Sequence, residues 1–374
     1  MSKIRICHIA QSIGGVERYI NYIVKYLDRE AYSHLIICTE DGDYSSNSDA
    51  KNLDIQIIQM VREINFYKDI KSFYKIIKIV IKTKPNIIHA HSSKGGLFGR
   101  IIGYIFSIPV AYTPHAFYYL GKNNTSRKIF LYLERILCLF PAALIATSPS
   151  EARRALEEVH WNINTVYEKF PNSIEVSSNT KVHKKTKIIT VLFIGRFTYQ
   201  KNPELFIEIV EIVHATNPNI LFKIIGSGYG DHYGQNINNL INRKSLNDCI
   251  TVHAWTNYDK LVSEIEKCDI YISTSRYESF GYTTAEAMSM GIPVIATLID
   301  GTKDLISHNK TGLLVESFNK LMFSEYINML ANNSKLRQRF GDAGKAVISQ
   351  KFNIKKNISS LELIYNEILK NRQR

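Results

Sequence analysis

Short apolar, β-branched runs alternate with segments of helical period along the whole chain. In the first half the runs are IRICHIA, HLIICTE, IQIIQM, NIIHAHS, PVAYTPH and ALIATS, and helical patterns begin near Val16, Phe66, Gly96, Ser126 and Pro149. A polar break, SSNTKVHKKTK (Ser177–Lys187), separates this series from a second. There the runs are IITVLFIG, LFKIIGSG, ITVHAW, IYISTS, PVIAT and TGLLV, with helices after Asn202, Gly230, Asn257, Thr283 and Phe318. Nearly continuous apolar strands that alternate with helices predict parallel sheets covered on both faces. The expected fold is therefore α/β, with two doubly wound, Rossmann-like domains facing a cleft: residues 1–180 and residues 187–350. Ligands of such sheets bind beyond the carboxyl ends of the strands, so the loops there are where chemistry is expected.

Composition narrows the class. The 374 residues exceed what one ordinary core covers, and 45% apolar with 22% charged residues is a globular balance. Cys7, Cys38, Cys138, Cys249 and Cys268 are scattered with no CxxC pair, which argues against a disulfide framework or a zinc site and for a reducing compartment. The first residues lack the apolar core of a signal peptide. The uncharged stretch Ile101–Gly121 is interrupted by Pro109, Thr113, Pro114 and His115, so it reads as a helix end, a strand and a loop and not as a membrane span.

Charge adds a partner. The net charge is +13, and Arg62–Arg135 holds thirteen lysines and arginines against three carboxylates, a local balance of +10. Lys68, Lys71, Lys75, Lys78 and Lys82 recur at helical spacing opposite Phe73, Ile77 and Val80. Such a stripe is either a solvated face or, with Phe66, Tyr67 and Tyr74 beside it, a contact for anionic phospholipid. No nucleic-acid reading motif accompanies it.

The segment ESFGYTTAEAMSMGIPV (Glu278–Val294) follows the strand IYISTS. Thr283 to Met290 reads as a helix stopped by Gly291 and Pro293, and Thr283 with Glu286 spells a T-x-x-E capping box. Capping does not account for Glu278, a carboxylate before a glycine turn at a strand end. A helix start offers free N–H groups to a phosphate, while carboxylates suit paired hydroxyls such as those of ribose or a hexose. In FIGRFTYQKNPE (Phe193–Glu204), Arg196 and Lys201 follow another strand end. Two cations so placed can neutralise a diphosphate without a metal.

At this point GRFTYQKNPELFIE, IIGSGYG and ESFGYTTAEAMSMGIPVIAT resemble the retaining GT-B glycosyltransferases, specifically glycosyltransferase family 4 with its E-x7-E signature, of the bacterial surface-polysaccharide type. GGVERYI, HAHSSKGGLFGR and YTPHAF agree in the first half, and the tail FNIKKNISSLELIYNEIL (within residues 351–374) looks like the family's last helix, which crosses back to the first domain. The resemblance gives Arg196 and Lys201 the donor diphosphate, Glu286 the ribose and Glu278 the transferred sugar. It gives the backbone of Ser279, Phe280, Gly281, Tyr282 and Thr283 the sugar hydroxyls and phosphate. Gly14 and Gly15 would let the first loop approach the donor, and His115 would lie near the anomeric centre. The acceptor or membrane side takes Lys68, Lys71, Lys75, Lys78 and Lys82 with His91 and Lys94. PNSIE (Pro171–Glu175) and IDGTKDLI (Ile299–Ile306) depart from the family's usual glycine-bearing loops.

What the resemblance implies is a retaining, metal-independent hexosyl transfer from a nucleotide-sugar, expected to be a UDP-sugar, to a lipid-linked or saccharide acceptor. It needs no cofactor and no metal, and the protein would sit in the cytoplasm as a peripheral protein on the inner face of the membrane. Four other readings compete. A sugar-nucleotide 2-epimerase shares the architecture. A metal-dependent transferase would use Asp41 and Asp43, a D-x-D pair. A dinucleotide oxidoreductase would use GSGYG (Gly226–Gly230), whose spacing is wrong for that role. A non-catalytic membrane-binding protein would leave Arg196, Lys201, Glu278 and Glu286 without a purpose.

Overall fold

The computed structural model describes residues 3–11, 14–39, 53–61, 64–178, 180–183, 187–226, 232–255 and 257–371. The chain divides into two units, residues 1–173 with 354–374, and residues 174–353. Asp41, Asp43 and residues 227–230 of GSGYG lie outside the described residues.

The first unit is a sheet of seven parallel strands in the order β3-β2-β1-β4-β5-β6-β7. These are β1 (Ile4–Ile9), β2 (Tyr32–Cys38), β3 (Asp54–Ile57), β4 (Ile87–His91), β5 (Val110–Thr113), β6 (Ala143–Ile145) and β7 (Val166–Tyr167). The interleaved helices are α1 (Gly15–Tyr26), α2 (Phe66–Thr83), α3 (Ser92–Ile105), α4 (Asn124–Leu137) and α5 (Pro149–Arg154). Because side chains alternate across a strand, Cys7, Ile9, Leu35, Ile37, Ile88, Ala90 and Tyr112 all enter one apolar core with Ile76 and Val80 of α2 and Phe98 and Ile102 of α3. The opposite face carries His8, paired in register with His89, and His34, in register with Ile6. One face of the sheet is oily; the other has a row of histidines in it.

Two helices of the oily side are unlike each other. In α2 the side chain of Asn65 caps the helix by accepting from Lys68 N–H, and Ser72, Ile76 and Val80 are buried. Phe73 and Ile77 pack partly buried at the flanks. In α4 the pattern is inverted: Glu134 is the buried residue, while Ile129, Tyr132, Leu133 and Ile136 are exposed. Glu134 meets the fully buried Arg100 of α3 at 3.0 Å, and the Arg100 guanidinium lies 4.3 Å from the Tyr112 ring centre. A buried carboxylate is tolerated only with such partners.

The second unit is a sheet of six parallel strands in the order β10-β9-β8-β11-β12-β13. Its strands are β8 (Ile189–Ile194), β9 (Ile220–Gly226), β10 (Ile250–Ala254), β11 (Ile270–Ser273), β12 (Val294–Thr297) and β13 (Leu313–Val315). Its helices are α6 (Pro203–Thr216), α7 (His232–Arg243), α8 (Tyr258–Lys267), α9 (Tyr282–Ser289), α10 (Asp300–Leu305), α11 (Lys320–Asn332) and α12 (Ser334–Lys351). Phe193, Phe206 and Phe222 fill its core. The last helix, α13 (Ile354–Asn371), belongs to the first unit.

The polar break is not a free tether. Ile174 is fully buried and bridges to Asn353, Lys181 N–H donates to Met290 O at 2.8 Å, and His183 Nε2 lies 2.9 Å from Gly291 O. Residues 181–183 of the break are therefore laid onto the second unit by hydrogen bonds that polarity alone does not reveal.

Candidate active site

In the second unit the loops after β8 and β11 are stitched together. Arg276 N–H donates to Gln200 O at 2.7 Å, and Gln200 Nε2 donates to Tyr277 O at 3.1 Å. Thr274 Oγ1 donates to the carbonyls of Lys201 and Asn202 at 3.0 and 2.9 Å. Asn202 takes a left-handed conformation that turns the chain into α6, with Pro203 in the first turn. Across this seam Lys201 Nζ donates to Glu278 Oε1, and Ser275 Oγ donates to the same oxygen at 2.8 Å. Both members of the ion pair keep partial exposure, 19% for the Lys201 side chain and 10% for Glu278. Arg196 stands in the same loop as Lys201, half-buried.

The turn that follows Glu278 is built by close packing. Gly301 N–H donates to Glu278 O at 3.1 Å. A Cβ on Gly301 would stand 2.7 Å from Phe280 N, so only glycine lets α10 approach there. Ser279 and Tyr282 are half-buried, Phe280 and Gly281 are buried, and Gly281, with φ +89°, is the residue from which α9 starts. Thr283 consequently lies inside the helix and does not cap it. Its hydroxyl accepts from Tyr271 OH at 2.7 Å, so the expected capping box is not formed. Glu286 falls in the second turn of α9 and is 2% exposed, which removes the capping explanation for it.

In the first unit Gly14, with φ +67°, precedes α1, and among the described residues no atom lies within 4 Å of the Cβ it lacks. Only a glycine takes this conformation readily. Gly15 begins the helix and is exposed. His115 and Ala116 both have positive φ, 54° and 74°, a strained pair for side-chain-bearing residues. Glu151, 4% exposed, holds it: Ala116 N–H donates to Glu151 Oε1 at 2.7 Å, and the Thr147 N–H and hydroxyl each donate to Oε2 at 2.8 Å. Ser148 accepts from Glu151 N–H at 3.2 Å. The S-x-x-E spelling of Ser148–Glu151 thus resembles a capping box, yet its carboxylate is spent on the His115 turn.

His115 ends a row of imidazoles. His34 Nδ1 lies 3.1 Å from His8 Nε2, His8 Nδ1 3.1 Å from His91 Nε2, and His91 Nδ1 3.1 Å from His115 Nε2. His89 stands beside them, with Nδ1 2.7 Å from Tyr365 OH of α13 and Nε2 2.9 Å from Thr113 Oγ1. Burial, with the neighbouring rings, holds His8, His89 and His91 well below the ordinary imidazole range. Burial likewise lowers His34 to about 4 and His115 to about 3. All five are neutral at physiological pH.

Two of the residues expected on the acceptor or membrane side do not reach that surface. His91 is fully buried in the row. Lys94 is 9% exposed; its ammonium meets Asp69 at 2.7 Å and the carbonyl of Val61 at 2.6 Å, so it ties α3 to α2. Lys68, Lys71, Lys75, Lys78 and Lys82 are all exposed, with Phe66 80% and Tyr67 77% exposed beside them. Among the described residues no helix is long and apolar enough to cross a membrane.

Sequence reasoning missed Ser275, Gly301, Glu151 and the histidines His8, His34 and His89, and it gave His91 a place on the acceptor or membrane side and not in the row behind His115. The signal available was weak: HAH places His89 and His91 on one strand face, but nothing local aligns them with His8 and His34.

The model for glycosyltransferase family 4 matches residues 13–167, and that for glycosyl transferases group 1 matches residues 176–347. Both halves are glycosyltransferase domains. The Escherichia coli UDP-Gal:alpha-D-GlcNAc-diphosphoundecaprenol alpha-1,3-galactosyltransferase is 25% identical over 99% of each chain. The Staphylococcus aureus capsular polysaccharide biosynthesis glycosyltransferase CapM is 24% identical over 89% of this chain and 90% of its own. The crystal structure of Anabaena HepE in complex with UDP and glucose superimposes with a TM-score of 0.80 at 17% identity, covering 97% of this chain and 99% of that one. With two Rossmann-like sheets and these neighbours the fold is GT-B, and the relatives include glycosyltransferases of capsular polysaccharide and O-antigen biosynthesis.

Proposed function

We propose that this GT-B glycosyltransferase moves a hexose or N-acetylhexosamine, with retention and without a metal, from a UDP-sugar to a lipid-linked or saccharide acceptor in surface-polysaccharide assembly. The observation that carries the reading is the Lys201–Glu278 pair on two interlocked strand-end loops, with Arg196 in the first of them. A cation held against a carboxylate in a partly open loop is poised for a second anion, and the donor's diphosphate is one. As the bond from the anomeric carbon to the phosphate oxygen breaks, negative charge grows on the diphosphate. Arg196 and Lys201 stabilise that charge where it develops. The acceptor oxygen bonds to the anomeric carbon on the same face, and its proton passes to a phosphate oxygen of the departing nucleotide. Glu278 orders the transferred sugar, and Glu286, a carboxylate too buried to serve solubility, receives the ribose. HepE's complex with UDP and glucose and the diphosphoundecaprenol acceptor in the E. coli relative's name support the donor and acceptor classes.

The acceptor's membrane would be met by the outer surface of α2 and α4 in a peripheral association on the inner face. The α2 lysines supply charge, and the exposed Ile129, Tyr132 and Leu133 of α4 supply apolar contact.

The test is a thermal-shift screen of UDP, GDP and ADP followed by transfer assays with the matching radiolabelled sugars in EDTA. UDP should raise the melting temperature most, and label should reach a polyprenyl-diphosphate sugar in the presence of the chelator. Conversion of the labelled donor to its epimer without any acceptor would favour the 2-epimerase instead, and loss of transfer in EDTA with rescue by manganese would overturn the metal-free mechanism.

A further inference from the structure

The imidazole row in the first unit has a property that follows from counting protons. A neutral imidazole carries one N–H, and each of the contacts His34–His8, His8–His91 and His91–His115 joins an Nδ1 to an Nε2 at 3.1 Å. For every contact to hold a proton, all four rings must be in the same tautomer. A single ring out of step puts two N–H groups, or two lone pairs, face to face. The row therefore has two concerted states, all Nδ1–H or all Nε2–H, which differ in where the terminal proton lies.

The ends are not equivalent. In the all-Nε2–H state the terminal proton sits on His34 Nε2, which is buried and has no hydrogen-bond partner among the described residues. In the all-Nδ1–H state that position is a lone pair, and the terminal proton moves to Nδ1 of His115, the partly exposed end of the row. Buried N–H groups without an acceptor are rarer and costlier in proteins than under-used acceptors, so the row is polarised toward His115. Burial of the rings keeps them uncharged, which is the condition for this ordering.

His8, His89 and His91 also bring ring nitrogens within 4.8 Å of one another. Their nitrogens are already engaged with His34, Tyr365, Thr113 and His115, so hydrogen bonding and not a metal accounts for the geometry.

We propose that His34, His8 and His91 are positioning residues that fix His115 as its Nδ1–H tautomer, with Nε2 occupied by His91, so that His115 meets a sugar oxygen as a neutral hydrogen-bond donor and not as a base. The tautomer assignment stands on the first unit alone; its role toward a sugar rests on the transferase reading above. The Glu151 clamp on the His115–Ala116 turn fixes the ring's backbone, and the row fixes its proton.

Long-range proton–nitrogen NMR of the full chain labelled with 15N-histidine, without substrate, tests the assignment because Nδ1–H and Nε2–H tautomers have distinct nitrogen signatures. The wild type at neutral pH should show His8, His91 and His115 as Nδ1–H. His91→Phe should return His115 to the Nε2–H form that free imidazole side chains prefer in water and lower kcat/KM by about tenfold or more. His91→Asn, whose amide can donate from nearly the position of Nδ1, should keep His115 as Nδ1–H. An Nε2–H signature for His115 in the wild type overturns the proposal, and so does stoichiometric zinc retained on His8 and His91 after chelation. If His91→Phe does not fold, the wild-type spectrum alone decides. Nδ1–H tautomers together with full transfer activity in His115→Ala would leave the row standing and sink its role toward the sugar.

Discussion

The two units place polar groups at their strand ends by opposite means. The second unit uses charge: Lys201 against Glu278, with Arg196 nearby, in loops that stay partly open. The first uses neutrality: five imidazoles, four of them buried, share protons in a layer under α1 and α13, while its charges are either buried in pairs, as in Arg100 with Glu134, or carried on the outer surface by the α2 lysines. The difference follows from the part each unit takes in the proposed reaction. A diphosphate brings its own charge and gains more as it leaves, so cations held ready stabilise the transition state beyond the ground state. A sugar hydroxyl brings no charge, and a buried ion facing it would cost more desolvation than the contact returns.

The sharpest way to break this contrast is to remove the charges. Arg196→Ala or Lys201→Ala should lower turnover by about 10²-fold or more, the loss expected for one electrostatic donor. Glu278→Gln frees Lys201 from its carboxylate while leaving a side chain of the same size, so turnover should fall while UDP affinity is kept or rises. Glu286→Gln should instead weaken UDP binding. Steady-state kinetics with calorimetric titration of UDP separates the cases. Full activity in Lys201→Ala would mean that charge is not the second unit's instrument.

A second comparison is between α2 and α4, neighbours of α3 on the oily side of the first sheet. Each lysine near an anionic surface contributes roughly 1 kcal/mol. Changing Lys71, Lys75 and Lys78 together to glutamate should therefore abolish flotation with phosphatidylglycerol liposomes at low salt. Ile129→Ser with Tyr132→Ser should remove the part of binding that survives moderate salt. If the triple variant floats like the wild type, the stripe is a solvated face and α4 alone does the docking.

These contrasts were unequally legible. Every strand of the two series is present, because apolar β-branched runs report buried parallel strands directly. The two-residue β7 carries no such signal. Arg196, Lys201 and Glu278 were readable because their loops are contiguous motifs at strand ends. The stitching of those loops by Thr274 and Gln200 was not, since it depends on partners more than seventy residues away. The α4 inversion was hidden for a similar reason: Ile129, Tyr132 and Leu133 look like a core stripe until Arg100 is known to claim Glu134. The sequence alone puts His91 and Lys94 on the acceptor or membrane side, and only the structure shows His91, in register with Thr113 of β5, fully buried.

The smallest effect concerns the neutral side of the comparison and reads its sign from linkage. His34 is held at about 4 by burial, with Arg29 adding to the depression and His8 the ring it faces, against an ordinary value near 6.5. Between those values the unfolded chain binds a proton at this site and the folded chain does not, so stability rises with pH across the window and falls as pH drops through it. At pH 5.5 this one residue should cost about 1 kcal/mol relative to pH 7.5. His34→Asn, which keeps a donor near Nδ1 but does not titrate, should reduce the pH dependence of the unfolding free energy measured by urea titration by that amount, while both proteins behave alike above pH 7.5. An identical slope for the two proteins between pH 7.5 and 5.5 would mean that His34 is protonated in the fold, and the row would then begin with a charge and not with a lone pair.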